Sequence, residues 1–115
     1  MKCIVIDDDD ISRRVIEDFI TRTSFLTLEH SFAGAIEAVN FLKSGNKVNL
    51  IFLDIEMPEM DGLSAVREIR RRELQQGRRI PIVAVTAHRS EENRAKCLAA
   101  GVDAVLVKPI TKREI

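Results

Sequence analysis

The chain has 115 residues, enough for one packed domain but too few for a catalytic domain with a separate lid, so one site is the most to expect. Its 18 basic and 18 acidic residues cancel to a formal charge of zero, which removes any global pull toward nucleic acid or an anionic membrane. No apolar stretch is long enough to span a bilayer, Met1-Lys2 leads straight into a strand pattern rather than a signal peptide, and a cytoplasmic location is expected.

Lys2 to Ile6 reads as a first strand, and the segment after it carries Ile11, Val15, Ile16, Phe19 and Ile20 at helical spacing. Leu26 to Phe32 reads as a second strand near an edge. Ala35, Ile36, Val39 and Leu42 then stripe a second helix closed by Gly45. Leu50 to Leu53 is a third strand, Ile55 to Gly62 a loop broken by Met57-Pro58, and Leu63, Val66 and Ile69 open a third helix ending near Gly77. Ile82 to Val85 is a fourth strand. Ser90 caps a fourth helix with Glu91 and Glu92 in its first turn and a stop at Gly101, and Val105 to Val107 is a fifth strand. A strand-helix alternation with no linker or repeat predicts one α/β domain over residues 1–115, a doubly wound parallel sheet with right-handed crossovers and a fifth helix that is incomplete. Cys3 and Cys97 lack CxxC spacing and histidine companions, so buried reduced thiols are expected rather than a disulfide or a zinc site.

Chemistry-bearing residues fall where the strands end. Asp7 and Asp8 follow the first strand, Asp54 the third, Thr86 the fourth and Lys108 the fifth. Alone, Asp7 to Asp10 is ordinary capping of a helix N-terminus. A second carboxylate on the adjacent central strand changes that reading, because uncompensated like charges there raise one another's pKa and destabilise the fold. A hard cation resolves the conflict. Magnesium suits the set better than calcium or zinc, since it keeps several waters and is held by one or two carboxylates plus a phosphate. Lys108 adds a compact positive charge for phosphoryl oxygens, Thr86 adds a hydroxyl, and Pro109 fixes the direction of the lysine if its peptide bond is cis.

Four motifs, Val5-Ile6-Asp7-Asp8-Asp9, Leu53-Asp54-Ile55-Glu56-Met57-Pro58-Glu59-Met60-Asp61-Gly62, Val85-Thr86-Ala87 and Val107-Lys108-Pro109, together carry a close resemblance to the receiver domains of two-component response regulators, the CheY-like family. The stretch Ile80 to His88, with Cys97-Leu98-Ala99-Ala100-Gly101 after it, resembles receivers attached to hybrid sensor histidine kinases more than those of DNA-binding regulators. The resemblance implies a flavodoxin-like strand order 2-1-3-4-5 and transfer of a phosphoryl group from phosphohistidine to Asp54. It also implies Mg2+ held directly by Asp8 and Asp54, through water by Asp7, and by the backbone carbonyl of Glu56. Thr86, the Ala87 backbone N–H and Lys108 would hold the phosphoryl oxygens, and Glu56 and His88 would tune the lifetime of the acyl phosphate. The domain would then catalyse its own phosphorylation and slow dephosphorylation without being a turnover enzyme. Its expected partners are a sensor histidine kinase or a histidine phosphotransfer protein, with no direct nucleic-acid or membrane contact.

Val105 departs from the pattern, since the family often has an aromatic side chain there that rotates when the threonine moves onto the phosphate. The incomplete fifth helix is the second departure, and a dimer or swapped contact at that face is one expected consequence. Arg67, Arg70, Arg71, Arg72, Arg78 and Arg79 read as the solvated face of the third helix and its turn, opposed by Glu68 and Glu73, rather than as a nucleic-acid surface. Three rival functions remain. A phosphatase using an aspartyl phosphate would need its nucleophile on the first strand. A flavin mononucleotide binder would need Ser, Thr and Gly where four aspartates stand. A degenerate receiver serving only as a docking module would have no use for a full set of acids, threonine and lysine.

Overall fold

The alternation of short apolar runs with striped segments folds as expected in the computed structural model, which describes residues 1–56, 62–87 and 89–108. In chain order the elements are β1 (Lys2–Ile6), α1 (Asp10–Arg22), β2 (Thr27–Phe32), α2 (Ala35–Lys43), β3 (Leu50–Asp54), α3 (Gly62–Gln76), β4 (Ile82–Thr86), α4 (Glu91–Ala100) and β5 (Ala104–Val107). All strand pairs are parallel, and the order is β2-β1-β3-β4-β5. The expected fifth helix falls at residues 109–115, which lie outside the described residues, as do Met57 to Asp61, His88 and Pro109.

Period-two alternation sorts the strand residues between two cores. Cys3, Val5, Phe52 and Val85 face α1 through Ile16 and Ile20. Ile4, Ile6, Ile51, Leu53, Ile82 and Ala84 face the other way, against Ala35 and Ala38 of α2, Ala65, Val66 and Ile69 of α3, and Cys97 and Ala100 of α4. Both cysteines are buried free thiols. β2 is an edge strand, as expected, and its register slips between Cys3 and Ile4 so that Glu29 has no partner in β1. The helix stripes are less fully buried than their periodicity predicts: Ile11 and Val15 of α1 and Ile36 of α2 are exposed.

Two local devices set the ends of the elements. Asp9 caps α1 by accepting from the Ile11 N–H, and Ser90 caps α4 by accepting from the Asn93 N–H. Gly62 begins α3 in close contact with the end of β3, since a Cβ there would stand 2.2 Å from Ile55 Cα and 2.7 Å from Asp54 O. No other residue fits that approach.

The arginine-rich segment is not simply a solvated face. Arg70 is largely buried, and its guanidinium donates to Glu73 Oε1 (2.6 Å), Ile80 O (2.7 Å), Gly101 O (2.9 Å) and Asp103 Oδ2 (2.8 Å). Glu73 is itself buried and accepts from the Ile80 N–H, while Asp103 accepts from Ile82 N–H and Arg79. This network pins α3, the entry to β4 and the turn between α4 and β5 at the edge of the sheet opposite the acidic cluster. The expectation of solvated arginines holds for Arg71 and Arg79 and fails for Arg70 with Glu73. Four hydrogen-bond acceptors converge on Arg70 where sequence alone shows only alternating charge.

Candidate phosphoryl-transfer site

Parallel strands in this order bring their carboxyl ends to one edge, and five of the predicted residues, Asp7, Asp8, Asp54, Thr86 and Lys108, lie there. Asp7, at the end of β1, is fully buried and Asp54, the last residue of β3, is 2% exposed, while Asp8 is exposed at the rim. Each of the three offers a carboxylate oxygen within 4.8 Å of the others. The two buried carboxylates are aimed by the same device, an N–H two residues further along: Asp9 N–H donates to Asp7 Oδ1 (2.9 Å) and Glu56 N–H to Asp54 Oδ1 (3.0 Å).

Lys108 closes the site from β5. Its backbone N–H donates to Thr86 O (2.8 Å), and its Nζ stands 3.7 Å from Asp7 Oδ2 and 3.6 Å from Asp54 Oδ2. One ammonium therefore serves two carboxylates, which undercompensates them. Burial pushes the Asp54 carboxyl up to about 7, with the neighbouring Asp7 charge adding to the rise, while the Glu56 N–H and Lys108 oppose it. Asp7 is also raised, chiefly by burial. Apart from a proton on Asp54 itself, no hydrogen-bond donor among the described residues reaches the buried Asp7 Oδ2. An orphaned buried oxygen beside two other acids is what a hard divalent cation satisfies, so these residues fit magnesium. Asp9, by contrast, is lowered by the Ser12 hydroxyl and spends its side chain on the cap of α1.

Thr86 ends β4 fully buried. Its hydroxyl donates to Glu56 Oε1 (2.9 Å) and accepts from Asn93 Nδ2 (3.2 Å), and the Ala87 N–H donates to the same Glu56 Oε1 (2.5 Å). The Glu56 side-chain contact was not foreseen, because it joins positions 30 and 31 residues apart and nothing in the local pattern of either segment marks it. Asn93 is likewise a site neighbour that the sequence reading missed. At the rim, Arg13 donates to Asp7 O (2.8 Å) and pairs with Asp10 (2.5 Å). Val105 on β5 pairs with Ala84 of β4 and packs, half-buried, on the larger core. His88 and Pro109 lie outside the described residues.

Comparison with known proteins places this arrangement. The family model described as response regulator receiver domain matches residues 3–115. The hybrid signal transduction histidine kinase L of Dictyostelium discoideum is 36% identical over 117 residues, covering 99% of this chain and 7% of that protein. Among solved structures, the receiver domain of the histidine kinase CKI1 from Arabidopsis thaliana complexed with Mg2+ and BeF3− is 32% identical with a TM-score of 0.83, covering 98% of this chain and 84% of that one. The co-crystal structure of the Saccharomyces cerevisiae phosphotransfer protein Ypd1 with the receiver domain of Ssk1 matches at 27% identity and a TM-score of 0.86, covering 98% and 81%. The chain spans between 6% and 11% of the length of the curated relatives it matches. Among the described residues, no helix is long and apolar enough to cross a membrane.

Proposed function

From the premise that this chain belongs to the response regulator receiver family and so acts in two-component phosphorelay signalling, we propose that Asp54 is its phosphoacceptor, served by Lys108, Thr86 and the Ala87 N–H. The observation that carries this reading is the convergence of two buried, undercompensated carboxylates with one lysine at the carboxyl edge of the sheet. A magnesium ion would be held by Asp8, Asp54 and the Glu56 carbonyl, with Asp7 acting through water, and residues 1–115 would work as one receiver unit. When bound, the ion supplies charge neutralisation to the phosphoryl oxygens.

In the transfer, an Asp54 oxygen attacks phosphorus in line with the P–N bond of a phosphohistidine. The new P–O bond forms as the P–N bond breaks, and the electron pair of that bond stays on the imidazole nitrogen. Lys108, already 3.6 Å from Asp54, offsets charge on the equatorial oxygens. Hydrolysis of the acyl phosphate returns the carboxylate, so the domain is a timed switch. The phosphohistidine belongs to a sensor kinase or a phosphotransfer bundle that docks beside α1, where Ile11 (76% exposed) and Val15 (42%) form an apolar ridge next to the pocket.

The test is phosphorylation by a small phosphodonor or a phosphohistidine protein in the presence of Mg2+, with the label mapped by peptide analysis. The expected result is a base-labile label on Asp54 alone, lost in Asp54→Asn. A label on another aspartate refutes the assignment. No label, with partner binding unchanged by Asp54→Asn, would favour a docking module instead.

A further inference from the structure

A phosphoryl group on Asp54 needs hydrogen-bond donors, and two of those assigned to it are occupied in this structure. Thr86 has one hydroxyl hydrogen and Ala87 one amide hydrogen, and both are directed at a single oxygen, Glu56 Oε1, at 2.9 and 2.5 Å. The direction is not ambiguous: an ionised carboxylate only accepts, so the threonine must donate, and its lone pairs remain for Asn93 Nδ2. Glu56 lies two residues past Asp54, and its own N–H is fixed to Asp54 Oδ1. The backbone is thereby held so that the side chain crosses to the end of β4.

We propose that the Glu56 carboxylate is a built-in occupant of the phosphoryl-oxygen site, holding Thr86 and Ala87 in the unphosphorylated domain and having to be expelled when Asp54 is phosphorylated. This inference rests on Asp54 being the phosphoacceptor. Phosphorylation is then an exchange of anions on the same two donors. Thr86 is already buried and engaged with an anion, so the exchange requires little movement at the end of β4, which suits a domain whose β5 carries Val105 instead of an aromatic rotor. Glu56 also opposes the modified state directly, because a displaced carboxylate remains near a group carrying about two negative charges. The residue is a positioning and competing group rather than a catalytic one, since its side chain acts through Thr86 and Ala87.

Beryllofluoride binding to Asp54 in saturating Mg2+ tests this, followed by the backbone amide resonances in the intact chain and in Glu56→Ala and Glu56→Gln. Both variants keep the backbone carbonyl, and the exposed position of the side chain argues against a folding defect. Removing a competitor held by charge-assisted hydrogen bonds should tighten beryllofluoride binding by about tenfold in Glu56→Ala, with Glu56→Gln between it and the parent. Before beryllofluoride is added, the Ala87 amide should exchange faster and shift upfield in Glu56→Ala, a change that a merely structural role elsewhere would not give. Equal or weaker beryllofluoride binding in Glu56→Ala, or an Ala87 amide indifferent to the substitution, overturns the proposal while leaving Asp54 as acceptor. Failure of all three proteins to bind beryllofluoride overturns the acceptor assignment itself, and this proposal with it.

Discussion

Replacing Asp54 by asparagine should stabilise the metal-free domain, and by an amount that grows with pH. The Asp54 carboxyl titrates at about 7 in the fold against an ordinary 3.8, because burial and the Asp7 charge outweigh Lys108 and the Glu56 N–H. A raised carboxyl means that the folded state binds more protons than the unfolded chain between those two values, so stability falls as pH climbs through that window. At about 1.4 kcal/mol per pH unit, the gap between 3.8 and about 7 amounts to at most about 4 kcal/mol lost by pH 8. Asparagine approximates the protonated carboxyl, keeping an acceptor for the Glu56 N–H without the charge, so Asp54→Asn should recover most of that loss at pH 8 and almost none at pH 4. Because Asp7 shares the titration, the apparent midpoint belongs to the pair. Urea denaturation in a chelating buffer from pH 4 to 8.5 measures both proteins. A parent whose stability is flat across that range, with Asp54→Asn no more stable at pH 8, would refute the account of the buried acids. Magnesium should flatten the parent's decline, adding about 2.7 kcal/mol at a hundredfold excess over its Kd.

Other consequences follow from the same contacts. Asp8→Asn should abolish the magnesium-induced rise in melting temperature, which calorimetry with and without the ion would show. Lys108→Ala should retain magnesium binding by isothermal titration yet lose much of the phosphorylation yield, since the lysine answers the phosphoryl group rather than the metal. Arg70→Met should cost about 3 kcal/mol in chemical denaturation by leaving the buried Glu73 without its cation, while leaving magnesium affinity within about twofold; a shift under 1 kcal/mol would mean the network is replaceable.

The sequence by itself determined where the chain changes direction and what chemistry stands at each change. β1 is found at Lys2–Ile6 as read, β3 and β4 run one residue further, to Asp54 and Thr86, and the caps at Ser90 and Gly101 stand where their residue types place them. These features are local: strand alternation, helix spacing and end-caps act over a few residues, so neighbouring residues encode them. Strand order brought Asp7, Asp54, Thr86 and Lys108 to one edge because short crossovers of one hand leave few alternatives. Only the tertiary structure decided which side chains meet across that edge and across the one opposite. Glu56 reaches Thr86 and Ala87 over 30 and 31 residues, and Arg70 reaches Gly101 and Asp103 over 31 and 33. Such contacts depend on strand register and helix rotation to within an ångström, which no local pattern specifies. For the same reason the α1 stripe could be read as one face, while its division into buried Ile16 and Ile20 and exposed Ile11 and Val15 could not. Periodicity places residues on a side of a helix, and only the packed sheet beneath sets how far along that side the core extends.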